Sequence, residues 1–221
     1  MPGRLDTFEK VLPAIQAQVD HVFVYLDGYD AAPIFLQGLD RITVRHAQDL
    51  GDLHASSRFL CLQDLVAPTV VAIVDDDIVY PPDYVDRLVE CLQCVDGRAI
   101  VGVHGRIFKA PHRSYVCDAD ALHFAQGLAR PRQVHEVGTG TCAFISSRFD
   151  VNPTEWRRCN MDDLSVAAEA QRRGLPLVAM ARAPQWLKPY AENQPDSLWA
   201  KALIDDIEQT RRMRELLGLS A

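Results

Sequence analysis

The sequence predicts an α/β protein with a mainly parallel sheet, and three observations favour that class. Short apolar, β-branched segments typical of buried strands alternate with segments whose apolar residues recur at helical spacing. One of these strands, residues 69–74, runs directly into Asp75, Asp76 and Asp77. In open α/β sheets ligands bind where strands end, so the three acids lie where a polar ligand would dock. A chain of 221 residues with 48% hydrophobic content can bury the full core of one such domain.

The hydrophobic pattern gives the following order of elements. Helices are predicted at residues 5–19, 56–65, 82–95, 162–173 and 198–217, and strands at residues 21–26, 42–45, 69–74, 99–103, 141–145 and 177–181. Pro13 is expected to kink the first helix, whereas Pro82 suits the first turn of its own helix. The least regular stretches, residues 108–137 and 183–197, are candidate active-site loops.

Composition and charge limit the class of partner. A net charge of −7 argues against a general nucleic-acid binder, although a local cationic pocket for one phosphorylated ligand is compatible with it. No stretch approaches the roughly 20 apolar residues of a membrane span, and no signal-peptide pattern is present, so a soluble cytoplasmic protein is expected. The six cysteines are expected to be reduced core thiols. Cys91 and Cys94 form a CxxC inside a predicted helix without a second pair, which is a weak zinc or redox signal.

The acidic triplet, Asp75, Asp76 and Asp77, is expected to have a positively charged partner. Three adjacent like charges repel one another and raise their pKa values unless a cation joins them. Mg²⁺ or Mn²⁺ prefers carboxylate oxygen and is commonly held by one or two protein carboxylates together with phosphate oxygens. The alternative is that a strand simply ends in an acidic turn, because Asp is favoured before Pro-containing turns.

With these motifs in place, the chain resembles the GT-A glycosyltransferases of the family 2-like type, in particular bacterial polysaccharide glycosyltransferases. The matching segments are PGRLDTFEKVLPAI, HVFVYLDGYD, QDLGDLHASSRF, VAIVDDDIVYPPDYVDRLV, VGVHGRIF, HEVGTGTCAFISS and MDDLSVAAEAQRRGLP. Together they extend from the N-terminus to Pro176 and so cover most of the chain. A DxD motif alone is weak, but the ordered series is fairly specific. The resemblance implies a Rossmann-like α/β/α sandwich in a single domain, with a terminal helix at about residues 198–217.

The resemblance also implies roles on the donor side. Asp75 and Asp77 would hold Mn²⁺ or Mg²⁺ on the diphosphate of a nucleotide sugar, and Asp76 would approach the donor ribose. A cation there stabilises the charge that develops as the nucleoside diphosphate departs. Further nucleotide contacts are expected at Arg4, Asp27, Asp49, Asp52 and Arg58.

On the acceptor side, the resemblance points to the acidic pair that opens the helix at residues 162–173. An inverting transfer needs a base for the proton of the acceptor hydroxyl, and Asp163 is the first choice, with Asp162 as the fallback. The alternative is that both acids only complement the helix dipole. Gly140 and Thr141 are expected beside the donor sugar and acceptor, or in a plain turn. Trp186 would stack on an acceptor sugar or pack in the core.

Two features depart from the family pattern. The family pattern has a strand ahead of the Pro2-Gly3-Arg4 turn; the expectation is that this strand is missing and that a sheet edge is exposed. No histidine follows the acidic pair, so the late metal-ligating histidine of many relatives has no counterpart; Lys188 or water would have to substitute.

The expected function is therefore metal-dependent transfer of a hexosyl group from a nucleotide sugar, with UDP as the expected nucleotide, to a hydroxyl of a glycan acceptor in polysaccharide biosynthesis. One alternative is a degenerate nucleotide-sugar or glycan-binding domain without turnover. Another is a haloacid-dehalogenase-like phosphatase, whose DxDx[TV] motif the sequence DDDIV also satisfies. That motif normally ends the first core strand, whereas two predicted strands precede it here. A sugar-nucleotide nucleotidyltransferase would require an early Gly-rich, basic phosphate loop, which the sequence lacks.

Overall fold

The computed structural model describes residues 2–51, 53–156, 160–190 and 198–219. Across these residues the α-helices are α1 (Leu5–Gln16), α2 (Tyr84–Gln93), α3 (Asp162–Arg172), α4 (Leu198–Ile204) and α5 (Ile207–Leu216). The strands are β1 (Val22–Leu26), β2 (Ile42–His46), β3 (Val70–Val74), β4 (Ile78–Val79), β5 (Ile100–Gly102), β6 (Gly105–Phe108), β7 (Ala119–Leu122), β8 (Arg132–Val134), β9 (Glu136–Val137), β10 (Thr141–Ile145), β11 (Leu177–Ala179) and β12 (Lys188–Pro189). The chain is thus a mixed α/β protein, as the sequence predicts.

The largest sheet has five strands in the order β3-β10-β5-β11-β8. Only β5 and β11 pair in parallel, while the other three pairs are antiparallel. The prediction of a mainly parallel central sheet is therefore wrong for this sheet. Two of the antiparallel pairs involve β10, which enters between β3 and β5 in the opposite direction, and the third joins β8 to β11. A strand buried on both faces shows the same continuous apolar run in either direction, so the hydrophobic pattern alone cannot reveal its orientation.

Smaller sheets surround this one. Strands β1 and β2 form a parallel pair of their own, with Val22 opposite Ile42. Strand β3 is consequently an edge of the five-stranded sheet. Strands β7, β6 and β9 form an antiparallel sheet, and β12 pairs with β4. Residues 108–137, expected to be irregular, therefore contain three strands.

Helical segments cover both faces of the large sheet. Alternate residues of β3 point to opposite faces, and they enter two different core clusters, Val71 and Ile73 on one side and Ala72 and Val74 on the other. The first cluster also contains α3 and the 3₁₀ helix His54–Asp64, and the second contains α1 and α2. Helical segments therefore pack against both faces of β3.

Two predicted helices are corrected by the structure. The helix expected at residues 56–65 is the 3₁₀ helix His54–Asp64, in which the Ser57 hydroxyl and the Arg58 Nε donate to carbonyls three residues earlier. The single terminal helix expected at residues 198–217 is two helices, α4 and α5. They separate before Asp206, whose carboxylate accepts hydrogen bonds from the Ser114 hydroxyl and the Val116 amide and so contacts a loop. Among the described residues, no helix is long and apolar enough to cross a membrane.

Candidate functional site at the end of β3

The acidic triplet immediately follows β3, and a buried tyrosine fixes this position. The Tyr80 hydroxyl accepts a hydrogen bond from the Asp75 amide at 2.8 Å and donates one to the Gly140 carbonyl at 2.6 Å. It therefore ties the end of β3 to the turn that enters β10. The Asp75 side chain remains 37% exposed, so solvent reaches the carboxylates at this sheet edge.

Two arginines contact the triplet. The Arg4 guanidinium bonds Asp76 at 3.2 Å and Asp77 at 2.9 Å, and the Arg58 guanidinium bonds Asp75 at 2.6 Å. Burial, followed by the charge of Asp75, raises the pKa of Asp77 to about 6, although Arg4 opposes the shift. Burial lowers the pKa of Arg58, but the charges of neighbouring carboxylates outweigh this effect and raise it overall. Arginine thus neutralises part of the negative charge.

Arg58 also joins the two acidic motifs that the sequence singles out. Its second terminal nitrogen bonds Asp162 at 3.2 Å, and the Ser56 hydroxyl donates to the other oxygen of the same carboxylate at 2.5 Å. Asp162 is 5% exposed, so both of its oxygens are held inside the protein. The end of β3 and the first turn of α3 therefore lie on either side of one guanidinium.

Asp163 is held in a different way. Its Oδ1 accepts hydrogen bonds from the backbone amide and the hydroxyl of Thr139, both at 2.8 Å. Burial raises the pKa of Asp163 to about 6, although the two bonds from Thr139 oppose the shift. A carboxyl group that titrates near neutrality can accept a proton and release it again, which suits a general base.

Behind Asp163 lies a glutamate that the sequence analysis did not single out. Glu136 is 1% exposed, and its Oε1 accepts a hydrogen bond from the Tyr115 hydroxyl at 2.8 Å. Burial, followed by the charge of Asp163, raises the pKa of Glu136 to about 8, although Arg106 opposes the shift. The available signal was a lone glutamate beside Val137 in HEVGTG, but the residues that contact it across the fold cannot be recognised from the sequence.

The turn residues expected near the donor sugar are packed against the triplet. A Cβ at Gly140 would overlap the Asp75 carboxylate, so the absence of a side chain permits this contact. Thr141 is buried, and its hydroxyl donates to the Gly138 carbonyl and accepts from the His104 amide. Thr141 therefore stabilises the turn through its side chain.

The remaining expected contacts are spread more widely. Asp27 follows β1, and its carboxylate contacts His54 at 3.3 Å on the 3₁₀ helix that also contains Arg58. Asp49 is exposed in the 3₁₀ helix Ala47–Leu50, and Asp52 lies outside the described residues. The Trp186 indole donates to Asp83 at 3.1 Å near the start of α2 rather than to the triplet.

The donor atoms at this edge suit a hard divalent cation, although no ready-made cage is present. In the part of the chain that the structure describes, no three His, Cys, Asp or Glu side chains are grouped to hold a metal ion. Mg²⁺ usually needs only one or two carboxylates, because substrate phosphates and water complete its shell. The pKa of Asp77 is raised first by burial and second by the charge of Asp75, so the two carboxylates repel each other despite Arg4. A cation held by Asp75 and Asp77 would offset that repulsion.

A surface depression of about 480 Å³ lies elsewhere. It is lined by Pro13, Gln16, Ala17, Gly38, Leu39, Asp40 and Arg41. These residues surround the C-terminal end of α1, whereas Arg4 and the triplet lie at its N-terminal end. The functional argument therefore depends on the accessible carboxylates and not on this cavity.

The fold is mixed α/β, and the candidate site is a sheet edge at which Arg4 and Arg58 contact three aspartates. No protein-family model matches the sequence, and no curated protein matches it significantly. The argument for function consequently depends on the chemistry of the site.

Proposed function

We propose that the protein is a metal-dependent glycosyltransferase with a GT-A-like fold. It transfers a sugar from a UDP-sugar donor to a hydroxyl group of a glycan. The observation that carries this proposal is the Arg58 bridge between Asp75 and Asp162. It joins Asp75, a proposed ligand of the cation on the diphosphate, to Asp162, the neighbour of the proposed base Asp163, although the two are far apart in sequence. Such proximity is what a reaction between two bound substrates requires.

Asp75 and Asp77 would hold the cation, and the cation would stabilise the charge that develops on the departing diphosphate. Asp163 is better placed than Asp162 to act as the base. Both oxygens of Asp162 are engaged and buried, whereas the bonds from Thr139 fall on Oδ1 of Asp163 only. The Asp163 carboxylate would take the hydroxyl proton as the acceptor oxygen bonds the anomeric carbon. The bond from that carbon to the diphosphate oxygen breaks on the opposite face, which inverts the configuration.

The test is nucleotide release from UDP-, GDP- and CMP-sugars with Mn²⁺, with and without glycan acceptors. We expect UDP release that an acceptor accelerates. Asp75→Asn and Asp77→Asn should each lower it by about 100-fold or more. Asp163→Asn should lower the catalytic rate by about 10² to 10⁴-fold while Mn²⁺–UDP binding persists. Asp120→Asn, which changes an exposed carboxylate paired with Lys109, is the matched control and should have no effect.

Other outcomes point to the alternatives. Binding of Mn²⁺–UDP without release by any sugar donor would indicate a binding domain. Hydrolysis of a phosphate monoester through a phospho-aspartate would indicate a phosphatase. Either result would contradict glycosyl transfer.

A further inference from the structure

Each carboxylate that would bind the cation is already engaged by an arginine. Arg58 bonds Asp75 at 2.6 Å, and Arg4 bonds Asp77 at 2.9 Å. The two arginines come from different elements, the 3₁₀ helix His54–Asp64 and the turn before α1. A cation held by Asp75 and Asp77 would therefore share carboxylates that already accept a guanidinium hydrogen bond, on Oδ1 of Asp75 and on Oδ2 of Asp77.

These arginines have the right chemistry for a second partner. A guanidinium binds carboxylate and phosphate in the same planar, bidentate manner, and it keeps its charge when it changes partner. The Arg58 side chain is 23% exposed and the Arg4 side chain 17% exposed, so both lie at the solvent boundary where a diphosphate would arrive.

We propose that Arg4 and Arg58 are displaceable counter-ions of the acidic triplet, which neutralise Asp75 and Asp77 before the donor binds and transfer to the diphosphate once a divalent cation takes their place. This inference depends on the proposed function. It implies that the cation and the nucleoside diphosphate bind together, because the metal displaces the arginines and the diphosphate receives them. Mn²⁺ alone should bind weakly, because the two guanidinium charges on the same carboxylates oppose a further cation.

The experiment measures two affinities in the same set of variants. Free Mn²⁺ is followed by electron paramagnetic resonance in titrations without nucleotide, and UDP binding in the presence of Mn²⁺ is followed by calorimetry. We expect Arg58→Gln to bind Mn²⁺ alone about tenfold more tightly, because Asp75 loses its competing charge. The same variant should bind UDP with Mn²⁺ about tenfold more weakly, because a charged hydrogen bond to the diphosphate is lost. Arg4→Gln should change both affinities in the same directions.

Controls separate this effect from unfolding. Arg58→Lys keeps the charge without the planar fork and should lie between wild type and Arg58→Gln in both measurements. Arg45→Gln removes an arginine from an ion pair with Asp64, away from the triplet, and should change neither affinity. Circular dichroism verifies that each variant is folded. A purely structural role of Arg58 would weaken both affinities together, so opposite changes are the specific signature.

Some results would refute displacement of the arginines without refuting the proposed function. If wild-type protein binds Mn²⁺–UDP and Asp75→Asn abolishes the binding, the metal site is supported. An unchanged or weaker Mn²⁺ affinity in both arginine variants would then refute displacement. Conversely, opposite changes in the arginine variants without turnover of any sugar nucleotide would support displacement and contradict the proposed glycosyl transfer. No Mn²⁺ binding to any variant would refute the inference as well.

Discussion

The acidic triplet and the buried Glu136 carry the same functional group, yet the protein neutralises them in different ways. Asp75 lies at a solvent-accessible edge and is balanced by a guanidinium, which a diffusible cation could replace. Glu136 lies 1% exposed in the interior, where burial and the charge of Asp163 raise its pKa to about 8, although the Arg106 guanidinium lies 3.9 Å away and opposes the shift. Burial decides the difference, because an ionised carboxylate in the interior costs far more than one at the edge. Only the edge group remains available for exchangeable ions.

The turn that enters β10 separates these two environments, and Gly140 gives the largest expected effect. We predict that Gly140→Ala lowers the free energy of unfolding by about 2 to 3 kcal/mol, because its Cβ would overlap the Asp75 carboxylate and force a shift of β3 or of the turn. Chemical denaturation followed by circular dichroism measures this change. The same variant should also weaken Mn²⁺–UDP binding, because Asp75 moves.

Gly3→Ala is the matched control for this prediction. A Cβ at Gly3 meets no atom within 4 Å, so its effect on stability should stay within about 0.5 kcal/mol. Equal stability of both alanine variants would show that the turn can shift to accommodate a Cβ at Gly140 at little cost. The close contact between Gly140 and Asp75 would then not be needed to hold Asp75 at the sheet edge.

The contact at Gly140 also shows what sequence can and cannot predict. The acids that follow β3 and those that open α3 were predicted from their positions next to a strand and at a helix start, because these signals are local. The contacts that join them depend on side chains from distant segments. Arg58 was expected to bind a nucleotide. Its ion pairs with Asp75 and Asp162 depend on where the 3₁₀ helix His54–Asp64 packs, which the sequence does not show. Glu136 and the antiparallel direction of β10 escaped prediction because neither the burial of a single acid nor the direction of a buried strand leaves a pattern in the sequence.

The second prediction uses pH to examine the interior group. The pKa of Glu136 is about 8 in the folded protein against an ordinary value of 4.5, so between these values the folded state holds a proton that the unfolded state has lost. Stability therefore falls as pH rises through this window and levels off above the folded pKa. Between pH 7 and 8 we expect a loss of about 1 kcal/mol in the free energy of unfolding. Urea denaturation at a series of pH values measures it.

Glu136→Gln is the comparison for this pH series, because the amide is neutral throughout and can accept the Tyr115 hydrogen bond. Its stability should change less than that of wild type between pH 7 and 8. Thiols of the unfolded chain also begin to ionise in this range, so the difference between the two proteins, and not the wild-type curve alone, reports on Glu136. Parallel curves for the two proteins would show that Glu136 is already ionised in the folded state, and the contrast with the triplet would fail.

The smallest effect is expected where an arginine pairs with a carboxylate at the surface. Arg45 bonds Asp64 at 2.9 Å, a distance similar to that between Arg4 and Asp77, but the Arg45 side chain is 38% exposed. Water screens such a pair, so Arg45→Gln should change the free energy of unfolding by less than about 0.5 kcal/mol, as measured by urea denaturation. If Arg45→Gln proved as costly as Gly140→Ala, burial would not be what separates these carboxylates. The distance between arginine and carboxylate would then predict the strength of these ion pairs better than their exposure to solvent does.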